Sequence, residues 1–365
     1  MKFSFRRFFA VSALLVFIGV AVVGVRTGLK VKRYIHAFEQ SAGTSALEIK
    51  RQIISNWKTS VEQTNDTITA LILGTDQLEG RPTHNSQANV LTDSLILTSL
   101  NLKTLALTQV SLPRDLWIDQ YRTKINALYF YGYEKTPQDP TAFPKSVIQD
   151  ITGVPIQYVV VLNLNTVAKV IDALGGVDVQ IDRSFTDEQF PKLGVDVATV
   201  RDPKLLYETV QFSQGNERMN GERALVFIRS RRSKDRIEGT DEGRIMRQQK
   251  IMQAVMSKVV DPDILRNPTV LGKLYALYRS EFSSAIPFGQ VVAIGRYMGQ
   301  QLIKVPQTFP ALQIKKATIS IQENGQKGVL FHPNVKKYGG QWVYIPVDST
   351  WNGLRDEIRG FYANE

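Results

Sequence analysis

The sequence predicts an α/β domain, a mixed central β-sheet flanked by helices, preceded by one N-terminal transmembrane helix. Three observations lead there. An uncharged run, Phe8 to Val25, follows a basic start. Short β-branched and leucine-rich runs recur between turn signals from Thr67 onward, and stretches of helical periodicity alternate with them. With 365 residues, 43% of them hydrophobic and 22% charged, the chain carries enough apolar material to bury a sizeable core.

Lys2, Arg6 and Arg7 stand before residues 8–25, FFAVSALLVFIGVAVVGV, a length that just crosses a bilayer core as a helix. A cleaved signal peptide begins in the same way but ends at a small-x-small site. Here the run ends at Arg26 without one, which favours an uncleaved anchor. The chain then divides into a short cytoplasmic tail (1–7), the anchor (8–25), a juxtamembrane stalk (26–65) and an extracytoplasmic domain (66–365). Basic residues flank the run on both sides, so this orientation rests on export being the usual purpose of such an anchor. The stalk carries Leu47, Ile53, Ile54, Trp57 and Val61 at amphipathic spacing and is read as a spacer.

Within the domain, TITALIL (Thr67 to Leu73) reads as a buried strand that Gly74 breaks, followed by a polar loop over Gln77 to Asn89. Asp93 to Asp115 reads as a β-hairpin around an Asn101 to Thr104 turn. In an antiparallel pair the opening and the close share one end, so Asp93 meets Arg114 and Asp115 across about twenty residues of sequence. A strand (Gln157 to Asn163), a helix (Thr166 to Leu174) and a strand (Val177 to Ile181) form a β-α-β unit. Ala224 to Arg231 reads as a strand and Gly243 to Val260 as a helix. The tail adds a helix near Phe288 to Leu302, strand-like Lys316 to Gln322 and Gln341 to Val347, and a closing helix, Asn352 to Tyr362.

The chain has no cysteine, which excludes disulfides, thiolate nucleophiles and Cys-ligated zinc. A net charge of +11 suits an anionic lipid surface. No helix-turn-helix, zinc-finger or RNA-binding signature accompanies it, so nucleic acid is not expected as a partner. His36, His84 and His332 are scattered, and Walker and G-x-G-x-x-G loops are absent. What remains is carboxylate and arginine. Asp76 and Asp93 sit at adjacent strand ends, where they suit a hard cation such as Mg2+, or cap turns through their own backbone. Arg229 and Arg231 alternate on the expected strand. Arg244, Arg247 and Gln248 share one helix side, an array suited to diphosphate or simply a solvated basic face.

In order, LILGTD (71–76), LTDSLIL (91–97), SLPRD (111–115), KINALYFYG (124–132), VVVLNLNTVAKVIDALGGVDV (159–179), MNGERALVFIRSR (219–231) and GRIMRQQ (243–249) resemble the LytR-CpsA-Psr family of bacterial cell-envelope proteins. The resemblance implies a phosphotransferase outside the cytoplasmic membrane, held there by a single span. Such an enzyme moves a glycopolymer from a polyprenyl-pyrophosphate carrier to peptidoglycan through a phosphodiester bond. Carried over by position, Asp76 and Asp93 hold Mg2+, or Mn2+ in its place, while Arg114, Arg229, Arg231, Arg244 and Gln248 grip the pyrophosphate. Lys124 and Arg247, their neighbours, are carried over to the same pyrophosphate-binding set. Arg114, Asp115, Arg229 and Arg231 are the candidate catalytic set, with Asp93 or Asp115 the candidate base. One position departs: Leu91 stands where the family usually has an arginine, leaving that contact to Arg81 or to the basic loop 232–236. The departure keeps two alternatives open, a pyrophosphatase acting on the carrier and a tethered lipid-pyrophosphate-binding protein without turnover.

Overall fold

The computed structural model describes residues 28–363 apart from 76–90, 105, 193–194, 196–199, 201, 260, 305–313 and 324. Its centre is a five-stranded mixed sheet. β1 (Thr67–Thr75), β2 (Thr92–Asn101) and β3 (Leu107–Leu112) run antiparallel in succession. β6 (Tyr158–Asn163) joins β1 in parallel, and β11 (Ile314–Thr318) closes the other edge in parallel with β3. The hairpin turn is held by its own polar residue, since Asn101 Oδ1 accepts from the backbone N–H groups of Lys103 (2.9 Å) and Thr104 (3.1 Å).

Alternation along β1 divides its side chains between two cores. Leu71 and Leu73, with Leu95, Leu97, Val110 and Leu112, face residues of helices Leu128–Lys135, Ala142–Thr152 and Asn352–Ala363. Ile68 and Ala70 face the opposite side, against Ile286 and Ile294, the latter on helix Phe288–Lys304. A third cluster lies beside the sheet. It joins helix Leu164–Ala173, the ribbon β7–β10 (Val177–Ile181 with Gly215–Met219) and the ribbon β8–β9 (Phe185–Pro191 with Tyr207–Phe212) to the helices that follow them.

The functionally relevant end of the sheet is set by pairing. Thr75 ends β1 opposite both Asn163, the last residue of β6, and Thr92, the first of β2. The ends of β1 and β6, the opening of β2 and the close of β3 therefore converge. Two further short strands, β4 (Trp117–Ile118) and β5 (Thr123–Lys124), turn back beside them.

Three sequence expectations change. The β-α-β unit does not lie in one sheet, because β7 leaves to pair antiparallel with β10. Its VDVQI alternation, buried and exposed by turns, suits a ribbon with one wet face rather than a doubly covered parallel strand. Residues 224–231 are not a strand. Gly221–Arg229 is a helix, capped by Asn220 Oδ1 accepting from Arg223 N–H at 2.8 Å, and it buries Ala224, Leu225, Phe227 and Ile228 on one face.

The third change concerns the expected stalk. α1 (Gly28–Ala42) and α2 (Ala46–Ser55) pack into the third cluster through Phe38, Ala42, Ile49 and Ile53. α1 lies so close to the helix Pro268–Leu277 that a Cβ on Gly272 would fall 2.5 Å from the Phe38 carbonyl oxygen. The anchor expected over 8–25 lies outside the described residues, and no helix among the described residues is long and apolar enough to cross a membrane. If α1 is part of the folded unit, Phe38→Ala costs about 3–5 kcal/mol and lowers the denaturation midpoint accordingly. An unchanged midpoint would return residues 28–55 to the role of a spacer.

Candidate active site

At the convergent sheet end the hairpin register carries Asp93 to Arg114. Arg114 Nη1 donates to Asp93 Oδ1 at 3.0 Å, and its Nε stands 3.5 Å from Asp115 Oδ2. Lys124, on β5, donates to Asp115 Oδ1 at 2.6 Å. Four sequence-predicted residues thus form one chain of alternating charge. The backbone braces it. The buried Thr92 hydroxyl donates to the Asn126 carbonyl at 3.1 Å, and Asn126 N–H donates to the Arg114 carbonyl at 3.3 Å. Asp93 and Arg114 are each 46% exposed, so their pairing adds at most ~1 kcal/mol to stability. Such a pair can exchange one partner for another at small cost.

The second group lies where the helix Gly221–Arg229 gives way to the helix Asp241–Val259. Asp187, buried on β8, ties that junction down. Its Oδ2 accepts from Ser230 Oγ (2.8 Å), Arg231 N–H (3.0 Å) and Arg232 N–H (3.1 Å), and its Oδ1 accepts from Gln189 N–H (3.0 Å). Burial alone would raise this carboxyl. The donors from Ser230, Arg232, Gln189 and Arg231 outweigh it and hold Asp187 below the usual carboxylate range. Arg229 lies over the Phe190 ring at 5.1 Å, Arg231 is exposed, Arg244 is half-buried and Gln248 is exposed.

Arg247 requires a correction. Expected to contact pyrophosphate, it is 2% exposed and directed into the protein. Its Nε donates to the Phe227 carbonyl (2.9 Å), Nη1 to the Glu238 carbonyl (2.9 Å) and carboxylate, and Nη2 to the Ser230 carbonyl. The guanidinium also lies over Phe185 at 4.9 Å. Burial lowers its pKa, opposed by Glu238. Arg247 therefore positions the loop that presents Arg229 and Arg231. Asp187 and Glu238 were not singled out in the sequence. Neither has a periodic neighbour, and only their place in charged stretches sets them apart.

Asp76 and Arg81 lie outside the described residues, and among the described residues no group of three or more His, Asp or Glu side chains could hold a metal ion. Leu91, where a further arginine was expected from the resemblance, is exposed beside Asp93. Arg232, a suggested substitute, is engaged with Gln189 Oε1 at 3.0 Å and lies over the Tyr207 ring at 5.6 Å. A depression of about 420 Å3 lies against the same loop, between Thr186, Gln211 and Ser233, and includes none of the four residues of the charge chain.

With this geometry established, comparison with known proteins gives a consistent result. A protein of Streptococcus agalactiae (gbs0355) has a solved structure of the same fold, with a TM-score of 0.51 and 20% identity over 85% of this chain and 90% of that one. The LytR_cpsA_psr family model matches residues 34–331. The chain belongs to the LytR-CpsA-Psr family. The polyisoprenyl-teichoic acid–peptidoglycan teichoic acid transferase TagU of one Bacillus cereus strain is 28% identical over 299 residues, 81% of this chain and 79% of its own. The TagU of a second Bacillus cereus strain is 30% identical over the same shares. The family match begins inside α1, in keeping with the packing of that helix on the domain.

A carboxylate whose folded pKa is depressed stabilises the native state fully above its unfolded value, and that contribution is lost as pH falls through the folded value. The stability advantage of wild type over Asp187→Asn should therefore be complete above about pH 4 and shrink in stronger acid. Urea midpoints measured against pH test this, and an advantage constant down to the lowest accessible pH would contradict the role given to Asp187.

Proposed function

We propose that this chain transfers a glycopolymer from a polyprenyl-pyrophosphate carrier to peptidoglycan through a phosphodiester bond. The observation that carries the reading is the Asp93–Arg114–Asp115–Lys124 chain at a sheet end, in a member of this family. The transferase names of relatives 28% and 30% identical over 81% of the chain support it. The apolar segment 8–25 would hold the domain outside the cytoplasmic membrane, where the carrier lipid resides.

The acceptor sugar hydroxyl attacks the glycan-linked phosphorus. The new P–O bond forms as the bond to the bridging oxygen breaks, and polyprenyl phosphate leaves. Arg114, with Arg229 and Arg231, neutralises charge on the two phosphates, which is where guanidinium groups fixed beforehand contribute most. Asp93 and Asp76 would hold Mg2+, with substrate phosphates and water as its remaining ligands. The buried Thr75 hydroxyl, which makes no hydrogen bond among the described residues, is a further oxygen at that strand end. Bound there, Mg2+ would supply charge neutralisation on the phosphate oxygens. Asp115, held between Lys124 and Arg114, would take the proton of the attacking hydroxyl.

Detergent-solubilised full chain, given a polyprenyl-pyrophosphate-linked glycan, soluble peptidoglycan oligosaccharides and Mg2+, should form a phosphodiester-linked product. Arg114→Ala and Arg229→Ala should each lower kcat roughly 100-fold or more, the scale of losing one donor to transition-state charge. Wild type and both variants alike in yielding no coupled product would count against transfer. Phosphate release independent of peptidoglycan would identify a pyrophosphatase instead.

A further inference from the structure

The chain beyond the residues matched by the family builds one feature that the reaction above does not use. Trp342 is 51% exposed, yet it is held rigidly. Its ring stacks on His332 with centroids 3.4 Å apart and planes 15° from parallel, and Tyr344 stands perpendicular to it at 6.4 Å. His332 is itself fixed through Nδ1, 2.9 Å from the Val343 carbonyl. The pairing of β13 (Leu330–Phe331) with β14 (Ile345–Pro346) brings the two stretches together.

This stack is joined directly to the candidate site. Tyr344 N–H donates to the Asp115 carbonyl at 2.9 Å, Trp117 N–H donates to the Tyr344 carbonyl at 2.8 Å, and Leu116 bridges Tyr344 in parallel. Trp342 is two residues away, so its backbone lies within about 7 Å of chain from the segment that carries Arg114 and Asp115. We propose that Trp342, braced by His332, is a stacking platform for a sugar ring of the acceptor glycan. This inference rests on the transfer reading and on Asp115 as the proton acceptor, since the hydroxyl that loses its proton there belongs to the acceptor.

The chemistry fits a saccharide. The C–H groups of one face of a hexosamine present partial positive charge to the negative face of an indole, while its hydroxyls stay in water or reach polar neighbours such as the exposed Gln341 and Asn334. A prenyl tail needs an enclosed apolar wall, and a single half-exposed ring gives little burial. A membrane surface needs a broader apolar face, and between residues 329 and 348 only Trp342 and Val347 are exposed large apolar side chains.

The test is anisotropy of a fluorescein-labelled tetrasaccharide of β-1,4-linked N-acetylhexosamines, titrated with the full chain in detergent and without lipid donor. Trp342→Ala should weaken binding roughly tenfold, the scale of losing one aromatic stack, while Trp342→Phe stays within about threefold of wild type. His332→Ala, which removes only the supporting ring, should weaken binding severalfold and serves as the second reading should Trp342→Ala unfold. Wild type without saccharide affinity, or variants that bind as wild type does, would overturn the proposal. So would a blue shift of tryptophan emission on anionic phospholipid vesicles that Trp342→Phe abolishes, in place of saccharide binding. Wild type that binds the tetrasaccharide in a Trp342-dependent way yet forms no coupled product would count against the reaction and leave the platform standing.

Discussion

The site depends on the register of one antiparallel pairing. β2 and β3 meet with Leu95 opposite Leu112 and Leu97 opposite Val110, all four side chains buried. A slip of β3 by one residue would turn Val110 and Leu112 toward the other face, away from Leu95 and Leu97. Each is worth about 1.5–3 kcal/mol of burial, against at most ~1 kcal/mol for the exposed Asp93–Arg114 pair. Packing therefore holds the charges in place, and the charges contribute little to holding the fold. That ordering suits a phosphate site, because its guanidinium can exchange one anionic partner for another without loosening the sheet.

The arginines at the junction of the helices Gly221–Arg229 and Asp241–Val259 are placed by the opposite logic. There the charges are buried and the fold depends on them. Asp187 gathers the Ser230 hydroxyl and two successive backbone N–H groups, while Arg247 gathers the carbonyls of Phe227, Ser230 and Glu238. Removing Glu238, the carboxylate paired with the buried Arg247, strands that guanidinium, a loss of the order of 3–5 kcal/mol. Arg247 is thereby turned away from solvent, and the backbone on either side of Arg229 and Arg231 is tied to buried side chains.

The sequence shows the hairpin clearly, because period-two burial, an Asn-led turn and the Pro-Arg-Asp close all point to the same pairing. Asp93 beside Arg114 follows from topology alone. The helix Gly221–Arg229 reads as a strand in sequence because Val226, Phe227 and Ile228 are strong strand formers, and only the Asn220 cap and burial against neighbouring helices override them. In the stretch before β1 the apolar residues were visible but not their faces. Ile53 is buried, whereas Leu47, Ile54 and Trp57 are exposed, and the packing runs instead through Phe38, Ala42 and Ile49. Arg247 shares a helix side with Arg244 and Gln248, and spacing cannot tell a guanidinium aimed at solvent from one turned onto carbonyls. The order of motifs points to the reaction, since carboxylates and arginines alone fit many anions.

A structure of the chain with a polyprenyl pyrophosphate bound tests the central claim most directly. The account predicts phosphate oxygens about 3 Å from the Arg114 guanidinium, with the Asp93–Arg114 contact lengthened and Arg247 still on its carbonyls. A diphosphate seated away from Arg114, Arg229 and Arg231, with the charge chain undisturbed, would contradict it.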